Sequence, residues 1–460
     1  MMWNISLKDI PFEADVRELL MAFYPEGSDI MVKGQIIDGR YRFEIQYADD
    51  SESFSCDIIE DRFDAKCLVK RQLYQRLSAH EKRTLPWGTL TGIRPAKLAM
   101  QGIDFRKVFL TSDEKIRLCF ETAEREKRVL EKTDSDNGWS LYIGIPFCPT
   151  RCLYCSFTAY PISLWKDKKQ NYISSLCREI KAVSEIMNGR KLQTVYMGGG
   201  TPTSLEAEEL TQVISAIREF NDMSHLLEFT VEAGRPDSIT EDKLKALKKC
   251  GVTRISVNPQ SMNQKTLDLI GRRHTVDDVK EKFRLARELG FDNINMDIII
   301  GLPGEDVQDV EHTMDELESL GPDDITVHSL ALKRAARLNE EKDRYETVSS
   351  DAISQMIQLT KERCEKMNLT PYYLYRQKNM AGNFENVGYA HDGKEGIYNI
   401  LIMEEKQTII GCGAGTTTKL PINGGADGVR RIENVKDPQV YIDRIDEMIA
   451  RKREINNGIN

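Results

Sequence analysis

The sequence predicts an α/β protein: a partial (β/α)6 barrel preceded by an N-terminal α+β domain and followed by a C-terminal α+β extension. Three observations lead there. Short apolar runs at 141–145, 192–197, 226–232, 253–257, 293–300 and 324–330 alternate with helical patterns, the rhythm of parallel strands joined by crossover helices. Residues 1 to about 135 lack that rhythm and carry a hairpin signal instead. The motifs with chemical content fall at the carboxyl ends of the candidate strands, where such barrels build their active sites. The domains expected are 1–135, 139–335 and 336–460.

In the first domain Asp15 to Phe23 reads as a short helix. Met31 to Ile37 and Tyr41 to Tyr47 flank Asp38-Gly39, a dipeptide suited to a tight hairpin turn, and Phe54 to Ile59 supplies a third strand. Asp61 is placed to cap a helix running to about His80. The turn-rich stretch from Leu85 through Trp87, Arg94 and Lys97 reads as a structured linker in preference to a substrate-contacting lid. Ser112 to Lys132 is a charged helix, and Asp134 to Gly138 a polar boundary.

Within the barrel, helices are expected near 167–187, 206–220, 240–250, 263–270, 275–289 and 306–320. In the last of these, Val307, Val310, Met314, Leu317 and Leu320 form an apolar stripe at helical spacing. A further helix at about 350–367 leads into the C-terminal region.

The chain has 460 residues, 40% apolar and 30% charged, which is ordinary for a globular protein of more than one domain. A net charge of −9 gives no global attraction for nucleic acid or anionic membrane. No secretory signal or run long enough to span a bilayer is read, and ten cysteines outside a small secreted scaffold suit a reducing cytoplasm.

Chemistry concentrates after the first barrel strand. Cys148, Cys152 and Cys155 form a C-x3-C-x2-C array. Three thiolates this close can hold a face of an iron–sulfur cube, whereas a closed site needs four. Structural zinc would also need a fourth ligand, and His80 and His225 are distant in sequence. Three is an odd number for disulfides. The array therefore points to a cluster with one open iron. Pro146 and Pro149 stiffen the loop. Strand two ends in Gly198-Gly199-Gly200-Thr201, where backbone can approach a ligand closely. Strand three ends in Glu232, a carboxylate placed to accept hydrogen bonds from hydroxyls or an ammonium. Strand four leads to Gln260 and Arg272, and strand five carries Asp297 inside an apolar run, where a carboxylate needs partners.

Together these residues resemble the radical S-adenosylmethionine (SAM) superfamily and, within it, the oxygen-independent coproporphyrinogen III oxidase family. The resemblance covers about residues 139–420 and is closest to the HemZ-type coproporphyrinogen dehydrogenases, which share the Leu-Thr-Gly-Ile-Arg-Pro segment and the Asn-Pro-Gln-Ser form of strand four. It implies a [4Fe-4S] cluster on Cys148, Cys152 and Cys155. It also implies catalytic roles for Tyr142 and Glu232, which with Gly199 would hold the cluster-bound SAM. Some members bind a second SAM; by position its contacts would be Tyr154, Gly200, Thr201, Gln260, Arg272, Asp297 and Leu330. Ser156-Phe157 departs from the oxidases, which have a further Cys there, and Phe157 is shared with the heme-chaperone branch.

The activity implied is anaerobic: a deoxyadenosyl radical takes hydrogen from a propionate, carbon dioxide and one electron leave, and a vinyl group remains, converting coproporphyrinogen III to protoporphyrinogen IX in heme biosynthesis. Heme binding or delivery and radical methylation of heme are the alternatives. Expected partners are a tetrapyrrole and a low-potential donor such as flavodoxin or ferredoxin, for a monomer with no nucleic acid and no membrane span. Arg235, Arg273, Lys333, Arg334 and Arg376 are candidates for the propionates, and His391 for heme iron.

Overall fold

The computed structural model describes residues 4–24, 29–92, 94–331, 336–341, 344–346, 348–377 and 384–457; Lys333 and Arg334 lie outside the described residues. Two compact units are present: Met1–Glu124 with Ser329–Leu332 and Leu374–Asn386, and Arg125–His328 with Lys333–Tyr373 and Val387–Asn460.

In the first unit β1 (Asn4–Lys8), α1 (Glu13–Phe23), β2 (Met31–Ile37), β3 (Arg40–Gln46), β4 (Ser51–Asp57) and α2 (Arg62–Glu81) follow one another, and the strands pair in sequence order. Asp38 and Gly39 both take positive φ, 52° and 70°, and Ile37 pairs with Arg40, so the expected hairpin forms. Alternation turns Tyr41, Phe43 and Ile45 into a core shared with Leu19 and Phe23 of α1 and Leu73 and Leu77 of α2. The Asp61 carboxylate accepts the Asp64 N–H and starts α2. No local sequence signal announced β1; its parallel pairing with β2 forms only when the sheet assembles.

The Leu85–Lys97 stretch contributes core to this unit. Trp87 is 1% exposed, and its indole donates to Glu385 at 2.7 Å. Lys115 reaches the same carboxylate at 2.6 Å. Arg376 lies over the Trp87 ring at 4.7 Å and donates to the Leu90 carbonyl. Two short helices, α3 (Pro95–Met100) and α4 (Phe105–Phe109), lead to α5 (Asp113–Leu130).

In the second unit β5 (Gly138–Ile145) precedes the cysteine loop, whose ends pair as β6 (Phe147–Cys148) and β7 (Tyr160–Pro161). Then come α6 (Lys169–Ile186), β8 (Lys191–Gly199), α7 (Ala207–Phe220), β9 (Glu228–Gly234), α8 (Glu241–Lys249), β10 (Arg254–Val257), α9 (Gln264–Leu269), α10 (Val276–Glu288), β11 (Ile294–Ile300), α11 (Val307–Leu320) and β12 (Asp324–Ser329). All six expected barrel strands are present and adjacent, with β8 parallel to β5 and β9, and β10 parallel to β9 and β11. They read as apolar runs because helices cover such a sheet and bury it on both faces.

The remainder is α12 (Arg337–Glu340), α13 (Ser350–Lys366), β13 (Thr370–Arg376), β14 (Glu385–Ala390), α14 (Ile397–Glu404), β15 (Thr408–Cys412), β16 (Thr417–Pro421), β17 (Val429–Glu433), α15 (Pro438–Asp443) and α16 (Ile445–Arg453). The sheet does not stop at six strands. It has eleven, with β14 and β13 beyond β12 and β15, β16 and β17 beyond β5. β15 runs parallel to β5, pairing Ile410 with Leu141.

Candidate active site

The cysteine loop is pinned by its backbone. Tyr160 N–H donates to the Pro146 carbonyl (2.8 Å), Leu153 N–H to Ile270 (3.0 Å), and Leu338 N–H to Leu153 (3.0 Å). Leu153 is buried at 2% exposure, so Cys152 and Cys155 are carried on an anchored turn. Cys152 is buried, and Cys148 and Cys155 are half-buried. The Cys148 sulfur lies 3.3 Å from the Thr201 hydroxyl, and Arg235 donates to the Cys152 sulfur at 3.5 Å. Burial pushes the Cys148 thiol up to about 11, and Cys155 and Cys152 push the same way, so the three sulfurs share one electrostatic neighbourhood. A bound cation reverses that balance and holds thiolates deprotonated.

Among the described residues no three His, Cys, Asp or Glu side chains converge on a single metal ion. Three thiols carried on one anchored loop are the donor set a cubane takes, each thiolate on a separate iron atom.

The glycine turn ending β8 stitches this loop to the barrel. Gly200 N–H donates to Ile145, Thr201 N–H to Phe147, both at 2.7 Å, and the Ser204 hydroxyl to Phe147 at 2.8 Å. Gly199 has φ 109°, a conformation glycine tolerates best. A methyl group on Gly198 would stand 2.9 Å from Glu232 Oε1, so the missing side chain is what lets that carboxylate in.

Three tyrosines meet here. Tyr142 of β5, Tyr196 of β8 and Tyr398 of α14 stack, with ring centroids 6.0 Å apart (Tyr142–Tyr196) and 4.6 Å apart (Tyr196–Tyr398). The Tyr196 hydroxyl donates to Glu232 Oε1 at 2.6 Å. Tyr398 is in place because buried Glu228 accepts the N–H groups of Ile397 and Tyr398 at 2.6 and 3.2 Å, fixing the start of α14. Burial pushes the Glu232 carboxyl up to about 7; the Tyr196 hydroxyl opposes this, Asp297 adds to it, and Arg254 and His328 oppose it.

A second constellation involves β10 and β11. Gln260 takes φ 69°, a strained left-handed conformation for a side-chain residue, and donates its N–H to the Asp297 carbonyl at 3.0 Å. The Asp297 carboxylate accepts from Asn295 at 2.7 Å and lies 3.8 Å from His328 Nε2. Burial raises its pKa, but contacts with His328, Asn295 and Thr326 outweigh burial and hold it below the usual range. Arg272 donates to the Asn258 carbonyl at 2.6 Å and to the Tyr154 hydroxyl at 3.1 Å, tying the cysteine loop to this group.

A cavity of about 440 Å³ is lined by Tyr142, Gly199, Tyr196, Tyr398, Phe157 and Lys419, among others. Of the expected residues, Tyr142 and Gly199 line it, and Glu232 adjoins it through Tyr196. Leu330 belongs to the first unit and is half-buried.

Two propionate candidates are engaged elsewhere. Arg235 is buried on Asp237 and Cys152, and Arg376 is buried in the first unit against the face of Trp87. Arg273 is exposed. The His391 backbone bonds to Asp323 and Arg125. Tyr196, Tyr398 and Lys419 were not anticipated. Tyr196 sits two residues before Gly198 on the same strand face, a legible signal; Tyr398 and Lys419 gave none.

The fold and the site define a radical SAM protein, and the family model described as the radical SAM superfamily matches residues 142–317. The chain is 43% identical over 391 residues to the oxygen-independent coproporphyrinogen-III oxidase-like protein HemZ of Bacillus subtilis, covering 82% of this chain and 78% of that one. It is 32% identical over 311 residues to the heme chaperone HemW of the same organism, covering 67% and 76%. Among solved structures, coproporphyrinogen III oxidase (HemN) of Escherichia coli shares the fold, with TM-score 0.55 and 22% identity over 71% of this chain and 73% of that one. The chain therefore belongs to the oxygen-independent coproporphyrinogen III oxidase-like family, whose relatives carry both the oxidase-like and the chaperone names.

Proposed function

We propose that this chain carries out oxygen-independent oxidative decarboxylation of coproporphyrinogen III, turning propionates into vinyl groups to give protoporphyrinogen IX. The observation that supports it is a cavity that joins the Tyr142–Gly199 side to aromatic walls and to Lys419, itself paired with Glu405. Among the residues lining it, Lys419 is the one charged side chain, and Phe157 is 65% exposed. A tetrapyrrole has an apolar face for such rings and carboxylates for such a cation.

Cys148, Cys152 and Cys155 would hold a [4Fe-4S] cluster. Tyr142, Gly199 and Glu232 would hold SAM; Tyr154, Gly200, Thr201, Gln260, Arg272 and Asp297 would be the set for a second one. When bound, cluster and SAM supply the radical that removes hydrogen from a propionate β-carbon. Glu232, oriented by Tyr196, accepts hydrogen bonds from ligand hydroxyl or ammonium groups. Tyr398 and Phe157 shield the reacting carbon from water, and Lys419, whose ammonium also pairs with Glu405 at 3.4 Å, offers a positive charge to a propionate. The electrons come from a low-potential flavodoxin or ferredoxin.

An anaerobic reaction with dithionite, SAM and coproporphyrinogen III tests this by mass spectrometry. Vinyl product with carbon dioxide and 5′-deoxyadenosine is expected; deoxyadenosine without vinyl product rejects the substrate. The similarity to a heme chaperone supports heme binding as the second reading. A tight stoichiometric heme complex with no turnover of porphyrinogen would favour it.

Two variants sharpen the reading. Lys419→Met is expected to raise KM for the porphyrinogen about tenfold with kcat little changed, the worth of one charge-assisted hydrogen bond. Glu232→Gln is expected to weaken SAM binding about 10–100-fold in calorimetry. The pH dependence follows from the raised carboxyl. Below about 7 the free site holds a proton that a cationic ligand must displace, so SAM affinity rises with pH up to about 7 and then levels off. Glu232→Gln should remove that slope.

A further inference from the structure

Arg235 follows β9 and is 4% exposed. The turn Pro236–Ser238 brings Asp237 back onto it: Nε donates to Asp237 Oδ1 at 2.9 Å and Nη2 to Oδ2 at 2.7 Å, a two-point grip on one edge of the guanidinium. The free edge faces the cysteine loop. Nη1 donates to the Thr150 carbonyl at 3.0 Å, to the Thr150 hydroxyl at 2.9 Å and to the Cys152 sulfur at 3.5 Å. Cys152 is itself 7% exposed, so this contact is largely sheltered from water. A buried cation is thus aimed at one cysteine sulfur and held there by a carboxylate on its opposite side.

We propose that Arg235 is a positioning residue that sets the reduction potential of the cluster through an N–H···S contact to Cys152, with Asp237 as its counterweight. This rests on the cluster assignment and not on the choice of substrate. Adding one electron makes the cluster and its thiolates more negative. A fixed cation donating to a ligand sulfur stabilises that state and raises the potential. Asp237 does the reverse by offsetting the positive charge. The two residues therefore act with opposite sign, which a merely structural pair would not do.

The test is a dithionite titration of the reconstituted full chain, with the reduced [4Fe-4S] signal followed by electron paramagnetic resonance. In Arg235→Gln the ratio of reduced to oxidised cluster at fixed poise is expected to fall about tenfold, ~59 mV for a one-electron couple. Arg235→Lys keeps the charge but loses the fork and should fall between. Asp237→Asn should move the potential upward. If Arg235→Gln fails to retain iron, Asp237→Asn decides: an upward shift supports the proposal, and no shift or a downward one overturns it. Shifts of the same sign in both variants, or unchanged potentials on an intact cluster, also overturn it. A wild-type chain that assembles no cluster removes the cofactor reading, and this proposal with it.

Discussion

Cys152→Ala, reconstituted anaerobically with iron and sulfide, is expected to show no SAM-responsive [4Fe-4S] spectrum and no reductive cleavage of SAM. Cys148→Ala and Cys155→Ala should behave alike. Each of the three loop cysteines supplies one of the three thiolates such a site takes, and alanine removes one. The cluster these thiolates would hold would supply the electron for SAM cleavage, and no side chain can replace that chemistry. Loss is then bounded only by the uncatalysed rate, on the order of 10⁶-fold or more. Cys67→Ala is the control. Cys67 is buried in the first unit, far from the loop in sequence, and its replacement should leave cluster and cleavage unchanged. Retention of a full cluster in any of the three loop variants would remove the assignment of ligands.

Lys452→Met is expected to destabilise the chain strongly. Glu179 of α6 is fully buried and carries four contacts: Lys452 Nζ and Asn434 Nδ2, both at 2.9 Å, the Tyr441 hydroxyl at 2.6 Å, and the Gly413 N–H at 2.8 Å. Lys452, on α16, is 1% exposed and also donates to Asn434 Oδ1 at 2.9 Å. Removing the ammonium leaves a buried carboxylate with no counter-ion, which costs about 3–5 kcal/mol. The double variant Glu179→Gln/Lys452→Met should recover much of that loss, because it removes both charges. Urea denaturation of the full chain measures both, and additive losses would show that the pair is not coupled. The contact matters to function because Gly413 opens the turn whose next residues, Ala414 and Gly415, line the cavity.

Much of this was readable from order and spacing alone. The barrel strands and their helices show as apolar runs and 3.6-residue stripes; Val310, Met314 and Leu317 of α11 are buried as their spacing implied. The Asp38-Gly39 hairpin and the Asp61 cap depend on neighbours within four positions. The C-x3-C-x2-C loop and the glycine turn are likewise local. Arg235 marks the other side of the line. Its charge suggested a propionate contact, yet Asp237 and Cys152 occupy it. Charge type shows in a sequence; the partner of a charge does not.

What the chain order determined by itself was the set of elements and the residues able to hold a cluster, because both depend on side chains close together along the backbone. What only the tertiary structure decided was who faces whom. Ser140 meets Gln407, Tyr142 meets Tyr398, and Glu179 meets Lys452 across hundreds of residues. Such pairs leave no periodic trace, since their geometry comes from packing β15 and its helices against β5 and α6 rather than from any repeat along the chain.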